Sequence, residues 1–165
     1  MGKTIKLVSL ISAHLFLVSR LIFFPYPELF IYPYLTNIGL TPYSQIFDQH
    51  FPGLMFLPVN LGTLGIDTVS EMMILHLAVI ALTHFLIFIT VKQITKSDKT
   101  AFFANIFYFL WQPYLEGNTL WIDSFIPLLF LPASLYFFKK KYSLSGLALG
   151  LAMVMKQVVA PLALI

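Results

Sequence analysis

Long apolar runs are the feature of this sequence that most restricts its fold. Of its 165 residues, 59% are hydrophobic and only 10% are charged, whereas soluble domains carry about 25% charged residues. A membrane-spanning helix needs about 20 predominantly apolar residues. The pattern predicts an all-α, polytopic membrane protein that forms a single transmembrane domain over residues 1–165. About five transmembrane helices are expected, at residues 5–24, 70–92, 100–115, 121–138 and 143–165.

The distribution of lysines predicts the orientation of these helices. Cytoplasmic loops of membrane proteins carry an excess of lysine and arginine. With a cytoplasmic N-terminus, eight of the ten basic residues lie inside, and only Asp98 of the seven acids does so. We therefore expect a multi-pass integral membrane protein with its N-terminus in the cytoplasm. The eight residues are Lys3, Lys6, Lys92, Lys96, Lys99 and Lys139 to Lys141.

The segment between the first two spans, residues 25–71, is predicted to be an external loop with two short interfacial helices. The stretch PELFIYPYLTNIGL has Pro27 and Glu28 at a helix start, where both residue types are favoured, and Gly39 at its end. The stretch FPGLMFLPVNLG indicates a second apolar surface helix. Both are too short to span a bilayer, so we expect them to lie in the membrane interface.

Two acids in this loop are candidates for chemistry. Glu28 and Asp48 are predicted at the outer interface, where a carboxylate can take a proton from an acceptor hydroxyl. The alternative is that both acids are solvated and inactive. His50, close to Asp48, is a candidate hydrogen-bond donor to a substrate. Arg20 lies at the outer end of the first span and would pair with Glu28 or with a phosphate.

Lys156 is a second candidate for ligand binding. It lies about 13 residues into the last predicted helix, about 20 Å from the cytoplasmic end. A lysine at this depth needs a partner or a wet cavity. We expect it to bind an anionic group such as a lipid phosphate, with Gln157 adding a hydrogen bond. The alternative is a lysine whose ammonium group reaches the outer interface.

Other function classes receive no support from the sequence. There is no cysteine, which excludes disulfides and thiolate metal sites. His14, His76 and His84 lack the spacing of a metal site, so neither a metal nor a cofactor is predicted. No basic and aromatic surface of the kind that binds nucleic acid is present either.

The external loop also carries a family resemblance. PELFIYPYLTNIGLTPYSQIFDQHFPGLMFL resembles the first external loop of GT-C superfamily glycosyltransferases, particularly the protein mannosyltransferase and aminoarabinose transferase group. GLALGLAMVMKQ is similar to a later helix of the family, in which Lys-Gln follows a glycine-rich turn. The sequence departs from the family pattern where Pro27 and Ser44-Gln45 replace acids. The matching loop positions are Gly39, Pro42, Tyr43, Asp48, His50, Pro52 and Gly53.

The resemblance implies transfer of a sugar from a polyprenyl-phosphate donor to an acceptor glycan, lipid or protein, with inversion at the anomeric carbon. It implies an outward-facing site in a membrane, which we expect to be a prokaryotic plasma membrane. Family members carry more spans, so we expect the chain to be the N-terminal part of a larger fold. The alternative is a non-enzymatic protein, either a transporter fragment or an inactive truncated remnant. The implied catalytic residues are Glu28 and Asp48, and the implied substrate-binding residues are Arg20, Tyr43, His50, Lys156 and Gln157.

The predicted topology can be tested by chemical labelling. Because the chain contains no cysteine, a Gln45→Cys variant carries a single reactive thiol in the loop expected outside. We expect an impermeant thiol reagent to label it in intact cells. Labelling that appears only after the cells are permeabilised would contradict this orientation.

Overall fold

The computed structural model describes residues 2–47, 53, 59–115 and 118–164, and within them the chain is mostly helical. Most of the second predicted surface helix, with Asp48 and His50, lies outside these residues. Short 3-10 helices occur at Gly62–Leu64, Ile122–Phe125 and Gln157–Leu164. The α-helices are α1 (Gly2–Ser19), α2 (Glu28–Asn37), α3 (Val69–Thr95), α4 (Asp98–Leu115), α5 (Ile126–Phe138) and α6 (Tyr142–Met155).

Local sequence signals explain where α2 and α3 begin and end. Pro27 precedes α2, Glu28 occupies its first turn, and Gly39 follows it with φ +97°, a conformation that glycine adopts without strain. Helix α3 begins with a capping box, in which Glu71 N donates to Thr68 Oγ1 at 3.3 Å and Thr68 N donates to Glu71 Oε2 at 2.9 Å. The first of the two short helices predicted between the first two apolar runs is therefore present as α2.

The helices form a bundle with α3 at its centre. Helix α3 packs against α1, α4 and α5, and α6 packs against α5. The α3–α4 and α5–α6 connections are short, so the helices of each pair run antiparallel and two common ends result. Lys6 of α1 lies beside the α3–α4 turn in one cavity. Apolar side chains at the opposite end form the main core: Leu29, Leu61, Met72, Val79, Leu120 and Phe125.

Two short strands join the ends of α1 and α4. Strands β1 (Phe24–Pro25) and β2 (Thr119–Leu120) pair in parallel, because both follow helices that run in the same direction. Asn118 reinforces this junction, since its side-chain amide donates to Val18 O at 3.2 Å and to Leu21 O at 3.1 Å. The chain segments that follow α1 and α4 are thereby fixed side by side.

A chain of buried polar side chains connects α1, α3 and α4. His14 Nδ1 lies 2.9 Å from His84 Nε2, and His84 Nδ1 lies 2.7 Å from Asn105 Oδ1. The other ring nitrogen of His14 contacts the Gln112 amide at 3.1 Å. His14, His84 and Asn105 are fully buried. Buried polar groups cost free energy unless they are hydrogen-bonded, so these contacts favour one register of the three helices.

The all-α prediction is confirmed, since the described part of the chain is mostly helical. Membrane association receives partial support: among the described residues, α3 is the one helix long and apolar enough to cross a bilayer. Shorter apolar helices cover Thr4–Ser19, Ile122–Phe138 and Tyr142–Met155. All five predicted spans correspond to helical segments, but the fifth is interrupted at Lys156.

We expect Asn105→Ala to destabilise the bundle by about 1–3 kcal/mol, because it leaves the buried His84 Nδ1 without its acceptor. Ser134→Ala is a suitable control, since it removes only an exposed bond from Ser134 Oγ to Phe130 O on the same turn. Thermal unfolding in detergent would compare the two variants. Equal melting temperatures would show that the buried hydrogen bonds between these polar side chains contribute little to stability.

Candidate functional site

Lys156 lies at a break between two helical segments. A continuous helix over 143–165 was predicted, and this is wrong, because α6 ends at Met155 and Lys156 is extended with φ −149° and ψ 118°. Its N–H still donates to Ala152 O at 2.9 Å, and a 3-10 helix follows from Gln157. Pro161 within that segment lacks the N–H that an α-helix would need. The break turns the Lys156 side chain away from a regular helical position.

The ammonium group of Lys156 forms an ion pair with Asp123. Its Nζ lies 2.5 Å from both Oδ1 and Oδ2 of that carboxylate. Asp123 belongs to the 3-10 turn before α5, so the pair joins the start of α5 to the end of α6. The two side chains are 23% and 35% exposed. At this partial burial each charge offsets the desolvation of the other.

Two stacked aromatic rings lie next to this ion pair. The rings of Tyr26 and Trp121 have centroids 3.7 Å apart and an interplanar angle of 23°. Lys156 Nζ lies 5.7 Å from the centroid of the Trp121 ring, within the range of a cation–π interaction. Tyr26 is positioned by its N–H, which donates to Leu120 O at 3.0 Å. The strand pair therefore places both rings beside the charges.

Asp123 lies on the walls of two cavities. One, of about 370 Å³, is lined by aromatic and polar residues near the strand pair. The other, of about 380 Å³, extends between the helices. These volumes are typical of small-molecule sites. The first includes Phe24, Tyr26, Thr119 and Trp121, and the second includes His76, Tyr108, Trp111, Gln112 and Ser124.

The loop that follows α2 packs against the same site. Ile46 is buried and packs with Ile122, while Trp121 and Met155 border this cluster. Gly53 N donates to Val154 O at 3.1 Å, and a Cβ at Gly53 would lie 2.7 Å from Met155 Cα. Only glycine allows this approach without a shift of the backbone. The loop is thus held against the end of α6 that precedes Lys156.

The predicted acids and cations occupy different environments. Glu28 is half-buried, and its Oε2 is buried without a hydrogen-bond partner among the described residues. Arg20 lies with its guanidinium 5.0 Å from the Phe16 ring centroid, and it forms no ion pair with Glu28. Asp48 and His50 lie outside the described residues. Glu28 follows Tyr26 by two residues, so it lies at the same end of the bundle as Lys156.

The remaining predicted residues lie in turns. Tyr43 has φ 62° at the tip of a tight turn in which its N–H donates to Ile46 O at 2.9 Å. This left-handed conformation is uncommon for a tyrosine. Gln157 is the first residue of the 3-10 helix after the break. Asp123, Trp121 and Tyr26 were not singled out from the sequence, although they surround Lys156.

No protein-family model, curated protein or solved structure matches this chain. The site is therefore interpreted from its own chemistry. Within residues 2–47, 53, 59–115 and 118–164, no three potential ligands come together in a way that could hold a metal ion. The site combines a carboxylate, an ammonium group and two stacked aromatic faces beside adjoining cavities. This combination can bind an anion next to a ring-shaped neutral group.

We expect Asp123→Asn and Lys156→Met to be strongly coupled. Each single change leaves one half-buried charge unpaired and should cost about 1–3 kcal/mol, whereas the double variant should lose less than the sum. The matched control is the Lys92–Asp98 pair, with Nζ and Oδ1 2.8 Å apart and a lysine that is 54% exposed. Its coupling should be below about 1 kcal/mol. Unfolding midpoints in detergent measure both cycles, and additive effects at Asp123 and Lys156 would contradict the proposed coupling.

Proposed function

We propose that this chain is a polytopic membrane protein whose helix bundle crosses the bilayer with the lysine-rich end in the cytoplasm. The helical segments, including the 3-10 turns next to α5 and α6, extend for about 27–40 Å. The hydrocarbon core is about 30 Å thick. Large apolar side chains point away from the bundle on several helices, including Phe16 at 64% and Ile74 at 68% exposure. Such exposed apolar surface supports contact with lipid.

In this orientation the ion pair lies at the outer membrane face, and we propose that it binds a polyprenyl-phosphate-linked sugar. The observation that carries this proposal is the position of Lys156 between Asp123 and the stacked Tyr26 and Trp121 rings. A lipid phosphate would bring an anion to Lys156 at the membrane surface. The attached sugar would pack on the aromatic faces, which are apolar and electron-rich. The adjoining cavities provide space for it.

The proposed reaction is transfer of the sugar to an acceptor, as the GT-C resemblance implies. The acceptor oxygen forms a bond to the anomeric carbon, and the bond from that carbon to the phosphate oxygen breaks. The proton of the acceptor hydroxyl passes to a carboxylate. The polyprenyl phosphate leaves with an additional negative charge, which Lys156 would stabilise. Glu28 is the proposed base, since its Oε2 is buried without a hydrogen-bond partner in the described part of the chain.

The second candidate is a non-enzymatic membrane protein with the same fold. One specific observation favours it: Asp123 already neutralises Lys156 within the chain. In that case the ion pair holds the α5–α6 hairpin together and binds no ligand. The two candidates differ in whether removal of the Lys156 charge weakens the binding of an added polyprenyl phosphate.

Glu28→Gln should lower transfer from polyprenyl-phosphate sugars by about 100-fold, because the amide cannot accept the acceptor's proton. The measurement uses the protein in vesicles with a panel of such donors. Asp67→Asn is the control, since Asp67 is another acid of the predicted external loop and the substitution keeps its backbone N–H, which donates to Glu71 Oε2 at 3.0 Å. Unchanged transfer by the Glu28→Gln protein would remove Glu28 from the proposed mechanism.

Binding of farnesyl phosphate separates the two candidate functions. It carries the phosphate and a short prenyl chain, and Trp121 beside Lys156 provides a fluorescence signal. In the transferase, Lys156→Met weakens this binding by on the order of tenfold, about the value of one charge-assisted hydrogen bond. A variant that melts at a lower temperature but binds farnesyl phosphate normally would favour the non-enzymatic candidate.

A further inference from the structure

A second cavity lies at the lysine-rich end of the bundle. It has a volume of about 550 Å³ and is bordered by the ends of α1, α3 and α4. Lysines from all three elements line it, and all of them belong to the set whose distribution predicts the orientation of the chain. The lysine cavity consists of Lys6, Lys92, Lys96, Lys99, Ser97 and Asp98, with Phe88 and Phe102 as apolar neighbours.

The charges around this cavity are unbalanced. Asp98 is the one acid among the described residues that line it, and its Oδ1 lies 2.8 Å from Lys92 Nζ. Lys6, Lys96 and Lys99 form no ion pair within the described residues. These exposed lysines line the same cavity, so their positive potentials add there and favour the binding of an anion. The cavity therefore has a surplus of positive charge that one or two phosphate oxygens would offset.

The general excess of lysine in cytoplasmic loops does not by itself explain why lysines from three helices line one cavity. Lys139, Lys140 and Lys141 satisfy the same bias in the α5–α6 turn without lining the cavity. The α3–α4 turn is short because Lys96 takes the left-handed conformation with φ 55° at the end of α3, and α4 starts two residues later. This turn brings lysines from both helices to one side, where Lys6 of α1 joins them.

We propose that the lysine cavity binds a phosphate group, as carried by an anionic phospholipid headgroup or by free phosphate. Basic pockets between membrane helices on the cytoplasmic side suit anionic headgroups. The neighbouring rings of Phe88 and Phe102 provide apolar surface for the adjoining glycerol and acyl carbons. The lipid source rests on the proposed membrane insertion. The inference is independent of the proposed sugar transfer, which concerns the opposite end of the bundle.

The test compares two double variants that remove the same charge. Lys96→Gln with Lys99→Gln removes two cavity lysines, and Lys139→Gln with Lys140→Gln removes two lysines at the same end but outside the cavity. Lys96 and Lys140 are matched in backbone conformation, with φ 55° and 58°. Any free-energy cost of placing glutamine in the left-handed conformation is therefore the same in both double variants. A Lys96→Arg, Lys99→Arg variant keeps the charge and should restore binding.

The purified full chain is titrated with phosphatidylglycerol, with phosphatidylcholine of the same acyl chains, and with inorganic phosphate. Thermal stabilisation and lipid retention in native mass spectrometry are the measurements. We expect phosphatidylglycerol binding to weaken by about tenfold or more in the cavity variant and to change little in the α5–α6 turn variant. Stabilisation by phosphatidylglycerol alone identifies a lipid headgroup, and equal stabilisation by inorganic phosphate identifies a free phosphate compound.

Equal loss of binding in both double variants would overturn the proposal, because the lysines would then act only as a diffuse charge. Indifference of the unmodified protein to both anions would overturn it as well. Neither result depends on glycosyl transfer, since these readouts need no sugar donor. Conversely, a protein without transfer activity would still give an interpretable result for the lysine cavity.

Discussion

Hydrogen bonds between His14, His84 and Asn105 connect three helices at the centre of the bundle. The Asn105 amide nitrogen donates to Ala101 O at 2.9 Å, so its oxygen faces His84 and accepts from Nδ1–H. The other nitrogen of neutral His84 then accepts from His14 Nδ1–H. His14 Nε2 lies 3.1 Å from Gln112 Oε1, which adds the Gln112 side chain to these contacts. One ordered set of donors and acceptors thus fixes α1, α3 and α4 in a single register.

This register determines where the helix ends opposite the lysine cavity meet. Once α1 and α4 are held in parallel, the residues that follow them pair as β1 and β2, and Tyr26 comes to lie on Trp121. Gln112 is close to this junction and also borders the inter-helix cavity that Asp123 lines. The aromatic part of the site is therefore a consequence of helix packing deep in the bundle.

The apolar runs predicted the helical segments because a helix of spanning length leaves a long apolar stretch in the sequence, and Gly39 marked the end of α2. The strands were not predictable, since two-residue strands separated by 94 positions leave no local pattern. Asp123 could have been found: it lies 16 residues before Lys139, and Lys156 lies 15 residues after Lys141. In a hairpin of α5 and α6 that turns at Lys139 to Lys141, Asp123 and Lys156 therefore lie side by side. The break at Lys156 was missed because its apolar neighbours favour a continuous helix.

The members of the candidate site lie outside the α-helices and β-strands, close to their ends. Tyr26 follows β1, Asp123 precedes α5, and Lys156 follows α6. In a continuous helix the direction of a side chain is set by helical geometry, but an extended residue can turn its side chain towards a neighbouring segment. The close approach of Gly53 to Met155 stabilises this end of α6 by satisfying the carbonyl of Val154. The geometry of the site therefore depends on how the helices terminate, and these terminations are held by backbone contacts from the external loop and the strand pair.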